Sequence, residues 1–398
     1  VEYVLEGSAR REGSRVRVSA DLIQVRDQTQ LWGDAFEREM AGILVLQNDV
    51  AREVAKALAL KLLPSEQALL AKARPVIPEV HEAYLRGWFH WMKTTPGDLD
   101  LAEKFFDQAL QKEPSYAPAY AGRAWVWVVR NQFGLITPGE AGPKARAAAL
   151  RAIELDESLA GAHETLALVR WLMDWDWDGA WESFRRALEL NPNVATARAM
   201  YAHFLAIMGH NEEALDQGKR SVQLDPLNPL IHGWFAVLLW MQRRYDEALA
   251  VAREAQLLEP DHPIVTAALW NTYDRKGMWK EAFEAVEANV RVGYNDPRVD
   301  AALDEGYARG GYAEAMRRGA EALVARFHEG LALASDTANF YALAGDKDKA
   351  MEWLEKGLEA RDPVMPYLGM FPSLDDLLPD PRFQELLRKL KLPIGAKK

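Results

Sequence analysis

Residues 15–22 alternate, with Val16, Val18, Ala20 and Leu22 apolar and Arg15, Arg17, Ser19 and Asp21 polar. A period of two predicts a strand with one buried face. The stretch "EYVLEGSA" precedes it, with "RREGS" as the turn, so the two form a hairpin. "QLWGDAF" adds a third short strand. From Ile43 to Leu62 the period changes. Leu46, Val50, Val54, Leu58 and Leu62 fall on one stripe of a helix.

Beyond this segment the pattern repeats. "EALDQGKRSVQLDPLNP" from Glu213 and "EALAVAREAQLLEPDHP" from Glu247 match at an offset of 34 residues. The column extends to Ala102, Ala145, Ala180, Ala214, Ala248, Ala282, Ala315 and Ala350, at spacings of 43, 35, 34, 34, 34, 33 and 35. Seven residues on, Ala109, Ala152, Ala187, Ser221, Ala255, Asn289, Ala322 and Gly357 are nearly all small. Residues seven apart share a helix face, and small ones let two helices approach closely. Pro114, Pro192, Pro226 and Pro260 then stop the helix. Paired helices at this period predict a solenoid in which each unit buries its apolar face against its neighbours. The pairs at 296–328 and 331–362 are degenerate and lack the proline. "NQFGLITPGEAGP", residues 131–143, predicts an inserted loop that explains the spacing of 43.

The phrase "DWDWDG" at 174–179 opens like a calcium loop, with oxygen ligands at every second residue. The twelfth position from Asp174 is Arg185, where a glutamate is needed. The repeat column supplies a packing reading instead. Trp177, Tyr245, Trp279 and Tyr312 each stand three residues before the alanine, at the start of a second helix. Asp176 then serves as an N-cap, and the phrase is a slightly lengthened helix–helix turn.

The period, the small-residue columns and the terminal proline resemble the tetratricopeptide repeat (TPR). "YVLEGSARREGSRVRVSADLIQVRDQTQLWGDAFEREMAGILVLQNDVAREVAKAL" resembles the second half of a TolB-N-terminal-like (FlgO-like) domain. "WDWDGAWESFRRALELNP" and "FPSLDDLLPDPRFQELLRKL" resemble the arrays that follow such domains in bacterial signalling proteins. The resemblance implies an upstream effector: an adenylate or guanylate cyclase, a CadC-like regulator or a serine/threonine kinase. The family's first strand and helix are absent, which predicts a fragment of a longer protein. An exposed strand edge is then expected to pair with another copy of the chain.

The expected fold is mainly α. It is a TPR-like α-solenoid of about eight helix pairs behind a small α/β segment of hairpin plus helix. The boundaries are 1–62 for that segment, 63–80 for a linker, 81–362 for the array and 363–398 for a capping segment. Phe383, Leu386, Leu387 and Leu390 of the last helix face inward.

The chain has 59 acidic against 48 basic residues, a net charge of -11, which argues against a nucleic-acid partner. Without cysteine, disulfides, thiolate catalysis and cysteine-ligated zinc are excluded. No apolar run is long enough to span a membrane, and a cytoplasmic location is expected. Phosphate-binding glycine loops, nucleophile elbows and paired zinc histidines are missing from the sequence. No catalytic residue, metal or cofactor is therefore assigned.

The first helix of each pair is expected to line a concave groove. Aligned repeats place Trp125, Trp171, His203, Trp240, Asn271, Asp274, Asp304 and Tyr307 towards it as candidate binding residues, with Trp88, Trp91 and Glu164 beside them. Aromatic side chains anchor partners, and the carboxylates favour a basic or neutral ligand. The reading is a non-catalytic interaction and ligand-sensing module of a bacterial signalling protein, holding a protein, a peptide or a small ligand. The alternatives are an enzyme or enzyme subunit with a pocket between the groove and the N-terminal segment, and a scaffold for oligomerisation.

Overall fold

The computed structural model describes residues 3–39, 43–57 and 76–392. They divide into two compact units, Val1–Leu85 and Arg86–Lys398. Leu58, Leu62 and most of the expected linker lie outside the described residues, as does the tail after Leu392.

In the first unit, β1 (Tyr3–Glu12), β2 (Arg15–Gln24) and β3 (Thr29–Glu39) form an antiparallel sheet with β2 central. The β1–β2 register pairs Glu12 with Arg15, so the turn is two residues long, and Gly13 takes its positive φ of 61°. The alternation holds, with Val16, Ala20 and Leu22 buried. The third strand is longer than expected because its polar residues keep pairing with β2 as far as Glu39 opposite Arg15. Helix α1 (Ile43–Ala57) contacts β2 and β3.

Eight helix pairs follow among the described residues. They are α2 (Pro78–Lys93) with α3 (Pro96–Lys112), α4 (Ala117–Gln132) with α5 (Pro138–Leu155), and α6 (Ala160–Leu168) with α7 (Trp177–Leu190). Next come α8 (Ala195–Ile207) with α9 (Asn211–Leu224), α10 (Pro229–Met241) with α11 (Tyr245–Leu258), and α12 (Pro263–Arg275) with α13 (Trp279–Gly293). The seventh pair, written α14 (Pro297–His328), is two helical arms separated by a break at Gly310 and Gly311, whose backbone angles are not helical. The eighth is α15 (Ala334–Leu343) with α16 (Lys347–Ala360). The fold is mainly α, a TPR-like solenoid.

All eight alanines of the first column are fully buried. Each packs where a larger side chain would push two helices apart. The four prolines act through the residue before them. Glu113, Asn191, Asp225 and Glu259 all cap their helices with φ between -137° and -148°, away from the helical region that a following proline disfavours. The second helices of three pairs begin at Trp177, Tyr245 and Trp279, as the column implies.

Two expectations change in detail. The loop expected at 131–143 spans only 133–137, because α5 already starts at Pro138 and carries Pro143 within its second turn. The long spacing there comes mostly from longer helices. The helix–helix turn at "DWDWDG" is lengthened by a π-helical stretch, Val169–Asp174, that ends in a left-handed Trp175. Asp176 caps α7 by accepting from the Gly179 N–H at 3.1 Å. Asp174 pairs with Arg146, and Asp178 is exposed. The three carboxylates do not converge on one point: Asp174 pairs with a cation, Asp176 caps a helix and Asp178 faces solvent.

Candidate functional site: a cavity under a C-terminal strap

The array folds back upon itself. Trp234 of α10 stacks on Trp125 of α4, with centroids 6.1 Å apart and planes at 17°. Trp91 closes the cluster at 4.7 Å from Trp125. His262 Nε2 donates to the Met92 carbonyl at 2.9 Å. Its Nδ1 accepts from the Ile264 N–H and caps α12, which places the proton on Nε2. The fifth and sixth pairs thus meet the first and second.

Residues 363–380 run irregularly through two 3-10 turns, Met365–Tyr367 and Pro372–Leu377, before α17 (Pro381–Lys389). The inward residues of α17 are buried as expected. The segment reaches further than a cap on the last pair would need. Tyr367 packs on Trp171 at 5.2 Å and Phe371 on Trp240 at 5.5 Å. Arg243 donates to the Met370 carbonyl and to Asp375, and Arg275 donates to the Pro372 carbonyl. Trp177 Nε1 donates to the Leu390 carbonyl at 3.1 Å. This strap lies against first helices of the third, fifth and sixth pairs.

A partly enclosed cavity of about 250 Å³ remains beneath it. Its walls come from first helices of three pairs: Trp240 on α10, Ala267, Trp270 and Asn271 on α12, and Asp336, Asn339 and Phe340 on α15. Gly293 and Tyr294 at the end of α13 add a side, the turn between α4 and α5 adds Phe133, and the strap adds Phe371. Every lining residue belongs to the second unit. Trp240 is 3% exposed and its indole N–H has no protein acceptor.

Asp336 is the one carboxylate of that lining, which contains no lysine, arginine or histidine. The Tyr294 hydroxyl donates to it at 2.7 Å. Burial pushes its carboxyl up to about 7, against the Tyr294 hydrogen bond, and the nearby Asp362 raises it further. Part of Asp336 remains accessible, because it opens onto the cavity. Asp362 itself is held by the Ser335 N–H and hydroxyl. The site can hold a polar group against a carboxyl that gains or loses a proton near neutrality.

Of the residues expected in the groove, the structure brings Trp240 and Asn271 to this cavity. Trp125 and Trp171 are core, 1% and 0% exposed, within the aromatic clusters just described. Trp91 is likewise buried, and Trp88 packs on it at 4.7 Å. His203 is buried under Tyr367 and donates from Nε2 to the Trp234 carbonyl at 2.8 Å, while burial holds its pKa down to about 4. Asp274 is buried and paired with Arg275. Asp304 is exposed beside Glu287, whose carboxyl is pushed up to about 7 by burial and then by its hydrogen bond to Asp304. Tyr307 stacks on Phe283 at 3.9 Å. Sequence reasoning missed Asp336, Asn339, Tyr294 and Phe371. The signal available was a polar, helix-initial "ASDTAN" in a pair lacking the repeat's proline.

No family model matches this chain. Over 170 residues it is 29% identical to a protein of Rhizobium meliloti described as putative adenylate cyclase 3. That match covers 42% of this chain and 29% of the cyclase, so the chain spans well under half of this relative's length. Among solved structures it is similar to Pseudomonas aeruginosa PilF (16% identity, 68% of this chain, 99% of that one, TM-score 0.35) and to human IFIT1 (16%, 78% and 76%, TM-score 0.49). It is also similar to the TPR protein YrrB (24%, 52% and 97%, TM-score 0.29). These likenesses concern the fold alone, and the TM-scores all lie below 0.5. No described helix is long and apolar enough to cross a membrane.

Proposed function

We propose that the array is a non-catalytic sensing module of a bacterial signalling protein, and that its ligand is a small molecule held in the cavity beneath the strap. The observation that carries this reading is the cavity's construction. Three first helices, which in a solenoid form the inner face, converge on it, and the strap completes the wall with Phe371. A volume of about 250 Å³ is just below the usual range of ligand cavities, roughly 300–1,000 Å³, and suits a small molecule better than an extended peptide. The place a peptide would take along the inner face is held by the chain's own residues 365–377. The similarity to a putative adenylate cyclase supports a regulatory role beside an effector in a longer protein.

Gly293 gives the test. A Cβ built there meets nothing within 4 Å, although the residue lines the cavity. Gly293→Leu should add bulk at the cavity wall without displacing protein at its Cβ. A thermal-shift screen with small metabolites should yield ligands that raise the melting temperature of the native chain. At a hundredfold excess over the dissociation constant the gain is about 2.7 kcal/mol. Those ligands should lose their effect on Gly293→Leu, whose own melt is unchanged or higher. Ligands that stabilise both chains equally would place recognition elsewhere.

A further inference from the structure

The cavity reading leaves the chemistry of the ligand open, and the walls narrow it. Asp336 supplies a single negative charge to a lining that is otherwise neutral and largely aromatic. Trp240, Phe340 and Phe371 line it, and aromatic rings attract cations through their quadrupoles. Asn271 and Asn339 add amide groups. The Asn271 amide N–H donates to the Ala267 carbonyl, and the Asn339 carbonyl accepts from the Ser373 hydroxyl at 2.6 Å. An anionic ligand would meet the Asp336 carboxylate with no counter-charge in the lining.

The groups facing Asp336 do not neutralise it. Tyr294 approaches from the end of α13 and donates its hydroxyl. Asp362 approaches from beyond α16 and is itself an acid. Arg326 of α14 lies over the Tyr294 ring at 5.3 Å, but its guanidinium is bonded to Asp296 and to the Leu331 carbonyl. The carboxylate is therefore positioned and lacks a cationic partner.

We propose that the cavity recognises a small organic cation, a protonated amine whose ammonium group bonds the Asp336 carboxylate while its apolar body packs among Trp240, Phe340 and Phe371. This inference rests on the cavity being the ligand site. It adds a sign of charge and an anchoring residue. Binding an ammonium group requires the ionised carboxyl. Affinity should be full above pH 7 and fall about tenfold per unit below the carboxyl's pKa. Complex formation near or below that pKa should release a proton.

The experiment is calorimetric titration of the full chain with phenethylammonium, cyclohexylammonium and tetramethylammonium, with phenethyl alcohol and cyclohexanol as neutral matches, and with phenylpropanoate as the anion. At about pH 8 the carboxyl is mostly ionised and the primary amines are still protonated. At least one ammonium probe should bind about tenfold or more tighter than its matched alcohol, as expected for a charge-assisted hydrogen bond in place of a neutral one. Asp336→Asn keeps an acceptor for the Tyr294 hydroxyl and should abolish that preference, with an unchanged circular dichroism melt establishing that the variant is folded. If Asp336→Asn does not fold, the fall in ammonium affinity between about pH 8 and pH 6 in the native chain carries the same test. Alcohols binding as well as ammonium probes, or phenylpropanoate binding best, with Gly293→Leu abolishing each, would overturn the cation and leave the cavity site standing. Probes that bind equally to Gly293→Leu, or no binding by any probe at millimolar concentration, would overturn the inference together with the cavity reading.

Discussion

Glu164 is 2% exposed, and burial pushes its carboxyl up to about 8 against a hydrogen bond from Thr196. It is therefore protonated in the folded chain at neutral pH, while in the unfolded chain it ionises near its ordinary value of 4.5. The folded state binds the extra proton between these limits. Its stabilising effect is complete below about pH 4.5 and is lost as the pH rises through about 8. Glu164→Gln should match the native chain in acid and exceed it increasingly up to about pH 8, by a few kcal/mol at most. Parallel melts show the outcome. A constant difference across that range would mean that Glu164 is solvated. His203 runs the other way. Its folded pKa of about 4 lies below the ordinary 6.5, so its contribution is present above 6.5 and lost as the pH falls towards 4. Among the candidate residues, the sequence could identify Trp240 and Asn271 as inward-facing because the repeat register fixes the helix face. It could not separate Trp125 and Trp171 from them. Their burial depends on Trp234 and Tyr367, which lie 109 and 196 residues away in the chain.

At the scale of elements, the seventh pair shows how the repeat survives without its usual turn. Gly306 sits where an added Cβ would lie 2.5 Å from the Ala315 Cα, so the two arms of α14 approach backbone to backbone. Gly311 takes a φ of 70° between them. Gly306→Ala should cost about 1–3 kcal/mol through overpacking, and Gly311→Ala about 1–3 kcal/mol, because its φ of 70° with ψ of -156° is backbone open essentially to glycine alone. Urea unfolding of both variants checks these losses, and a Gly306→Ala chain as stable as the native one would show that the arms can separate freely. The small residues of this pair were legible from the alanine column. In the sheet, the outer edge of β1 has no partner strand among the described residues. We expect this edge to pair two copies of the chain. Sedimentation at micromolar concentration should show a dimer that a chain lacking residues 1–62 does not form. Monomers in both cases would remove the expectation.

For the array as a whole, the alanine periodicity made the eight pairs legible, while the interior was not. Pairing within a repeat is written in neighbouring residues, but the closure and the strap depend on contacts between distant pairs. Arg243 carries nothing periodic, yet it holds Met370 and Asp375 and helps to seat Phe371 on Trp240. Phe371→Ala should cost about 1–3 kcal/mol, because Phe371 is only half-buried, red-shift tryptophan emission and speed proteolysis within 363–380. Unchanged emission and cleavage would mean that the strap is not held by this contact. The cavity is the proposed place where a ligand is read. Its most direct test is a crystal structure of the chain with bromine-substituted phenethylammonium. An anomalous bromine peak is expected between Trp240, Phe340 and Phe371, with the ammonium nitrogen within hydrogen-bond distance of the Asp336 carboxylate. A fully occupied bromine site outside the cavity, with the space beneath the strap holding no ligand, would contradict it.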